Sequence, residues 1–139
     1  MALLGKEVRM SRLVNPKSNK MMAITVDHAI SRGIAPMTGI QDIQGAIDKI
    51  VAGRPDAMTM TAPIAERCLA KHAGKVSLLC KISSYSPVSP TQDAVFGTVD
   101  SAIALGADAV SMGCMTLGDF QNEQFEAIGK VAQECRLKG

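Results

Sequence analysis

An apolar run, a polar cluster and a helical pattern recur in that order about every thirty residues along this chain. The four apolar runs are Met21–Val26, Ala57–Met60, Val76–Ile82 and Ala107–Met112. The run Val76–Ile82 is almost continuously apolar, as expected for a parallel strand that is covered on both faces. Four such units are half of the eight that close a (β/α)8 barrel, so we predict an α/β fold, a parallel (β/α)4 half of a TIM barrel.

The stretches between the strands carry helix signals and one long break. Apolar spacing predicts a helix from about Ile40 to Ala52, and Thr61 before Pro63 predicts the N-cap and first turn of a second helix. A third helix is expected over residues 98–106, and a fourth has an apolar face formed by Phe125, Ile128, Ala132 and Cys135. The serine- and proline-rich stretch Ser83–Gly97 is predicted to be a loop, and a loop of that length is often functional.

We expect residues 1–139 to form a single domain, because 47% of the residues are hydrophobic and can bury a sizeable core. Residues 1–20 form a polar, basic lead-in with a short helix predicted over Gly5–Val14. Residues 21–139 hold the four βα units. By analogy with complete barrels, we expect the lead-in to cover the end of the strands that lies away from the active face.

Composition excludes several classes of function. The net charge is +2, and the chain has no Trp and one Tyr, so it lacks the basic stripe with stacking aromatic residues that nucleic-acid binding requires. The four cysteines have neither Cys-x-x-Cys nor zinc-finger spacing, and no Gly-x-Gly-x-x-Gly follows a strand. We therefore expect no nucleic-acid partner, no metal and no other cofactor.

The same composition suggests where the protein works. Cysteines without a disulfide pattern suit a reducing cytosol. The apolar start of the chain is too short for a signal peptide, and no apolar stretch approaches the ~20 residues of a membrane-spanning helix. We expect a cytoplasmic protein with no membrane partner.

Polar and reactive side chains follow three of the four predicted strands. Asp27 and His28 end the first strand, Lys81 ends the third, and Met112–Cys114 follow the fourth. Parallel barrels carry their chemistry at the carboxyl ends of the strands. These positions are therefore the first candidates for functional residues.

Several motifs along the chain form an ordered set: Gly5–Leu13, Val26–His28 with Ser31–Gly33, Gly39–Asp42, Leu78–Ile82, Thr98–Val110, and Gly118–Phe120 with Glu123–Glu126. In this order they resemble the archaeal-type class I aldolases of the fructose-bisphosphate aldolase/DhnA group. That group includes 2-amino-3,7-dideoxy-D-threo-hept-6-ulosonate synthase, of the archaeal aromatic amino-acid route. The resemblance covers essentially the whole chain but only the N-terminal half of the family's domain, and it does not separate the two branches.

The resemblance implies Schiff-base carbon–carbon lyase chemistry on a phosphorylated sugar or a ketoacid. Family members form the imine through a lysine on the sixth strand, helped by a tyrosine after the fifth strand. They bind phosphate on the loops after strands seven and eight. None of these elements falls within the four predicted strands, so we expect the chain to be incomplete as a catalyst.

The resemblance gives Asp27 an acid–base role, because aldol chemistry removes a proton from a substrate hydroxyl and moves a proton at carbon. The alternative is that the Asp27 carboxylate caps backbone amides of the following loop. His28 either hydrogen-bonds Asp27 or a substrate hydroxyl, or it is a satisfied structural group.

Three roles remain open for Lys81. Burial within an apolar run favours a neutral amine, which is the nucleophilic form, so a Schiff base on Lys81 is chemically conceivable. The resemblance instead makes Lys81 a contact to substrate or phosphate, and a strand-end lysine can also extend to solvent without any role. Ser83 and Ser84 supply hydroxyls for binding a sugar phosphate, although serine is also typical of turns.

Two alternatives to catalysis also remain open. Four parallel strands in an arc leave two unpaired edges and an exposed inner face, which favour self-assembly, so we expect a homo-oligomer. The chain could instead be a truncated fragment of the full enzyme, because it ends where a fifth strand is expected. In either case the half-barrel would be non-catalytic.

Overall fold

A computed structural model describes residues 3–33 and 37–139 of the chain. In chain order its elements are α1 (Leu4–Leu13), β1 (Ala23–Thr25), α2 (His28–Arg32), α3 (Ile43–Ala52), β2 (Ala57–Thr61), α4 (Ala62–Ile64), β3 (Ser77–Lys81), β4 (Ser83–Ser86), β5 (Ser89–Val95), α5 (Val99–Ala104), β6 (Ala109–Ser111) and α6 (Gln121–Lys138). Residues 1–2 of the predicted lead-in and residues 34–36 lie outside the described residues.

Four of the strands form one parallel sheet in the order β1–β2–β3–β6. These are the four apolar runs of the sequence, so the predicted parallel α/β architecture is confirmed. Parallel neighbours need a crossover connection, and α3, the α4 region and α5 supply the helices of these crossovers.

The core lies between one face of this sheet and the helices. Met60 and Cys80 are register partners and project from the same face, as Met58 and Leu78 do one turn of the pleat earlier. All four side chains are buried, and they pack in one cluster with Ile47 of α3, which is fully buried. The opposite face of the sheet is therefore free to carry polar groups.

The stretch Ser83–Gly97 is not the loop that the sequence predicts. β4 and β5 form an antiparallel hairpin, which is a separate two-stranded sheet. The hairpin closes at the end of β3, where the amides of Phe96 and Gly97 both donate to the carbonyl oxygen of Ile82. The serines and prolines conceal a strand pair because backbone pairing, rather than an apolar pattern, holds it together.

The helices depart from their predicted bounds in three places. α3 begins at Ile43 because Asp42 is its N-cap and accepts a hydrogen bond from the amide of Gly45. The second predicted helix is irregular: α4 continues as a π-helical turn, Ala65–Leu69, and a 3-10 turn, Ala70–His72, and Thr61 makes no capping hydrogen bond. On α6 the predicted apolar face is largely exposed, and the buried side chain is that of Gln124.

α1 lies at the amino ends of the strands. The Ser77 hydroxyl at the start of β3 donates to the carbonyl oxygen of Arg12. The Arg12 guanidinium pairs with Asp108, which immediately precedes β6, at 3.1 Å. The carboxyl ends of the strands are therefore left to the loops that follow β1, β3 and β6.

Candidate functional site

A row of polar side chains crosses the face of the sheet opposite the core, at the carboxyl end of the strands. Thr61, Lys81 and Ser111 are register partners at the last positions of β2, β3 and β6. Asp27 comes two residues after Thr25, whose partner is Thr59, so Asp27 is level with Thr61 on the same face. The alternation that buries Met60 and Cys80 on one face places Asp27 and Lys81 on the other.

Asp27 and Lys81 form an ion pair within this row. Nζ of Lys81 lies 4.0 Å from Oδ2 of Asp27, and each side chain is 17% exposed. The Thr25 hydroxyl donates to Oδ1 of Asp27 at 3.0 Å. Partial burial strengthens this attraction relative to an ion pair at a fully hydrated surface. Asp27 accepts no capping hydrogen bond from α2, so the structure does not show the capping alternative.

His28 and Ser84 lie beside this row without joining it. His28 is the first residue of α2, and its Nδ1 is buried with no hydrogen-bond partner among the described residues. α2 packs against β4, and on β4 the Ser84 hydroxyl donates to the carbonyl oxygen of Tyr85 at 3.3 Å. Within the described ranges, no hydrogen bond links His28 to Asp27.

Ser83 holds two strand ends together. Its side chain is fully buried, and its hydroxyl accepts a hydrogen bond from the amide of Gly113 at 2.8 Å. Gly113 lies two residues beyond β6, so this contact fastens the start of the hairpin to the loop after β6. The Ser83 hydroxyl is thus engaged within the protein.

Asp93 is the residue that inspection of the sequence missed. It lies on β5 opposite Tyr85, is 8% exposed, and its Oδ2 has no hydrogen-bond partner in the described part of the chain. Burial raises the pKa of the Asp93 carboxyl, and the positive charge of Lys81 and the Ser83 hydroxyl act against this rise. In the sequence Asp93 is only an isolated acidic residue in a serine-rich segment. That pattern does not indicate a buried carboxylate, because the burial depends on the hairpin.

Gln124 fixes the hairpin over the strand ends. Its side chain is 4% exposed; its amide donates to the carbonyl oxygen of Thr91 at 3.0 Å, and its carbonyl oxygen accepts from the amide of Met115 at 2.6 Å. α6, the loop after β6 and β5 are therefore joined by one side chain. These two hydrogen bonds hold the hairpin against the loop after β6.

The row has the groups for recognising an anion and for moving a proton. An ammonium offers three donors to a phosphate or carboxylate, and a carboxylate offers a base for a hydroxyl. No group of three or more His, Cys, Asp or Glu in residues 3–33 and 37–139 could hold a metal ion. An apolar cavity of about 390 Å³ lies elsewhere, at the amino end of β6 between α1, α5 and α6.

No helix within the described ranges is both long and apolar enough to cross a membrane.

Known proteins resemble this chain over about half of their length. The 2-amino-3,7-dideoxy-D-threo-hept-6-ulosonate synthase 1 of Archaeoglobus fulgidus is 28% identical over 135 residues, which are 96% of this chain and 50% of that protein. The corresponding synthase of Halobacterium salinarum is 28% identical over 137 residues, with 97% and 50% covered.

Solved structures give the same picture of the fold. An archaeal fructose 1,6-bisphosphate aldolase superposes with a TM-score of 0.71 at 21% identity, covering 94% of this chain and 52% of that one. The fructose-bisphosphate aldolase of Slackia heliotrinireducens gives a TM-score of 0.74 at 12% identity, covering 97% and 48%. The parallel sheet therefore corresponds to half of an aldolase barrel.

The family profile of the DeoC/LacD family aldolases matches residues 21–139, which hold strands β1 to β6 and the row of polar strand-end groups. This match, the synthase relatives and the fold agree with the resemblance to class I aldolases that the sequence motifs indicated. The chain belongs to the DeoC/LacD aldolase family.

Proposed function

We propose that this chain carries the acid–base and substrate-orienting part of a class I aldolase site that acts on a phosphorylated sugar or a ketoacid. The observation that carries the proposal is the partly buried pair of Asp27 and Lys81 at the carboxyl end of a parallel aldolase-type sheet. Both of these groups lie where barrels of this kind hold their substrates.

In this proposal Asp27 takes the proton of the substrate hydroxyl when the carbon–carbon bond breaks, and returns it when the bond forms. The hydrogen bond from Thr25 fixes one carboxylate oxygen and leaves Oδ2 facing Lys81. Lys81 binds the anionic group of the substrate as an ammonium. His28 and Ser84 line the neighbouring hairpin side as further contacts, and Ser83 supports the strand ends.

The proposal does not make Lys81 the imine-forming lysine. The Lys81 ammonium forms an ion pair with the Asp27 carboxylate at 4.0 Å, whereas imine formation needs a free, neutral amine. These 139 residues would then bind substrate without forming the covalent intermediate by themselves. The chain spans about half the length of the relatives it matches, and the imine would have to come from a lysine outside these four strands.

Calorimetric titration with dihydroxyacetone phosphate tests the proposal. We expect the unaltered chain to bind, and Lys81→Met to bind at least about tenfold more weakly, because a charged hydrogen bond contributes about 1.5–3 kcal/mol. Lys138→Met is the matched control, since Lys138 pairs with Asp100 near the chain end. Absence of binding by the unaltered chain, or equal binding by Lys81→Met, would contradict the proposal.

We also propose that the chain self-assembles, because the two edges of its parallel sheet and an apolar patch on α6 are available for contact with a second copy. Within the described residues β1 and β6 each pair with one neighbour, and Phe125 and Ile128 of α6 are 48% and 36% exposed. Light scattering at low concentration should give a mass above 14.6 kDa, and a monodisperse species of 14.6 kDa would refute self-assembly.

The alternative that the chain is a fragment of a longer enzyme is tested by the intact mass of the protein in its source.

A further inference from the structure

We propose that the apolar cavity between α1, α5 and α6 binds a small molecule that joins an apolar body to one anionic group. The cavity has a volume of about 390 Å³ and lies at the amino end of β6, whereas the row of polar groups lies at the carboxyl ends of the strands. A volume of this size is usual for small-molecule sites. The inference goes beyond the proposed function and does not depend on it.

The floor of the cavity is apolar. Leu13 of α1, Val99 and Ala102 of α5, and Ala107, two residues before β6, line the cavity and are buried. Cys135 of α6 adds a half-buried thiol to the lining. Burial raises the pKa of this thiol, so it brings no negative charge at neutral pH. A floor of this kind favours an aliphatic or aromatic group over a hydrated one.

Positive side chains accompany this floor. Lys6, Arg9 and Arg136 also line the cavity, and in residues 3–33 and 37–139 none of the three has an Asp or Glu carboxylate within 4.0 Å. The Arg9 guanidinium donates to the carbonyl oxygen of Gly139 at 2.7 Å. This hydrogen bond fixes Arg9 between α1 and the residue that follows α6.

The acidic residue of the lining does not cancel these charges. Asp108 lines the cavity, but its carboxylate already pairs at 3.1 Å with Arg12, which is not part of the lining. An anionic group beside the three cations would be attracted to them, and an apolar body attached to it would displace water from the floor. Neither a neutral apolar molecule nor a small hydrated anion would gain both contributions.

A second copy of the chain fits this cavity less well than a small anion does. An isologous contact places the same surface patch of both copies together. Such a contact would bring Lys6, Arg9 and Arg136 close to the same three cations of the other copy, and like charges repel. The positive charge of the lining therefore favours an anionic ligand as the occupant.

Fluorescence titration with 1-anilinonaphthalene-8-sulfonate tests the inference, because this probe joins an aromatic body to one sulfonate. We expect saturable binding of one molecule per chain. N-phenyl-1-naphthylamine has the same aromatic body without the sulfonate, and it should bind at least about tenfold more weakly. Absence of saturable binding of the sulfonate probe, or equal affinity for the two probes, would overturn the inference.

A double variant tests the role of the cations. Lys6→Gln combined with Arg136→Gln should weaken binding of the sulfonate probe at least about tenfold and leave binding of the neutral probe unchanged. Lys17→Gln combined with Lys130→Gln is the matched control, since it removes the same net charge at exposed positions outside the lining. Equal affinity of the two double variants for the sulfonate probe would overturn the inference.

Alkylation of Cys135 in the unaltered chain locates the bound probe without any substitution. With the sulfonate probe in excess over its Kd, iodoacetamide should modify Cys135 at least about threefold more slowly. Cys114, on the loop after β6, should react at its original rate, and peptide mass spectrometry measures both. An unchanged Cys135 rate would overturn the inference, whether or not the variants fold. Dihydroxyacetone phosphate is absent from these experiments, so a failure of the proposed function would leave their result unaffected.

Discussion

Gly113 has no side chain at the point where the carboxylate of Asp93 lies against the backbone after β6. This close approach joins a hairpin that follows β3 to the loop that follows β6, and it is possible only with glycine at position 113. Gly113 is not among the described glycines that have a positive φ. Glycine is therefore needed at position 113 because a side chain has no space there, and not because of its backbone dihedral angles.

Gly113→Ala should destabilise the fold by about 1–3 kcal/mol, because the new methyl group collides with the buried Asp93 carboxylate. Urea unfolding measures this cost. Gly129→Ala is the matched control, since nothing lies near that position inside α6, and we expect it to stabilise by about 0.5–1 kcal/mol. In an Asp93→Ala background the cost of Gly113→Ala should shrink, and an undiminished cost would show that the two residues do not interact.

Asp93→Asn should make the protein more stable at neutral pH than the unaltered chain. Burial raises the pKa of Asp93 above its ordinary value of 3.8, so the folded state holds this proton more tightly than the unfolded state. The contribution of Asp93 to the free energy of unfolding therefore falls as pH rises from 3.8 through the pKa of Asp93 in the folded state. The uncharged side-chain amide of Asp93→Asn does not titrate and avoids this loss. Urea unfolding between pH 4 and pH 8 should show the advantage of Asp93→Asn growing with pH; a constant difference would contradict it.

Asp48→Asn should reveal an acid-dependent link between α3 and the 3-10 turn at Ala70–His72. Hydrogen bonds from Lys71 and His72 lower the pKa of Asp48 from 3.8 to about 2. The stabilising contribution is therefore complete above pH 3.8 and is lost as pH falls toward 2. Asp48 is 41% exposed, so added salt should weaken the effect.

The free energies of unfolding of the unaltered chain and of Asp48→Asn should thus differ at pH 6, approach each other below pH 4 and coincide near pH 2. Glu126→Gln, an exposed substitution on α6, should show no such convergence. A difference between the chain and Asp48→Asn that does not depend on pH would refute this role of Asp48.

Borohydride reduction in the presence of dihydroxyacetone phosphate should leave the Lys81 peptide unmodified. The Lys81 ammonium is paired with the Asp27 carboxylate, and an ammonium has no lone pair with which to attack a carbonyl. Peptide mass spectrometry measures the outcome. A reduced adduct on Lys81 would instead make it the imine-forming residue of this chain.

The parallel sheet was predictable because each strand is an apolar run with helix signals behind it. The capping box of Thr98 and Ser101 likewise agrees with the predicted start of α5. The hairpin was not predictable, since Pro87 and Pro90 signal turns and the pairing of β4 with β5 depends on backbone contacts near Ile82.

Of the candidate site, the sequence predicts only the residues at the strand ends. Asp27 and Lys81 follow from strand ends and alternation, whereas their 4.0 Å approach depends on the order of the strands in the sheet. The sequence does not indicate Asp93 as a candidate residue. Its neighbour Gly113 is distant in the sequence, and the Asp93 side chain becomes buried only when the hairpin has formed. His72 illustrates the same limit, since its partner Asp48 lies on another helix.

Amide chemical-shift mapping with dihydroxyacetone phosphate tests most directly whether the strand-end row is the substrate site. We predict that the largest shifts fall at the carboxyl end of the sheet, on Asp27, Lys81 and Ser111, and that Lys81→Met abolishes them. Shifts that concentrate instead around the cavity of about 390 Å³ beside α1, or that persist unchanged in Lys81→Met, would contradict the assignment of Asp27 and Lys81 to substrate binding.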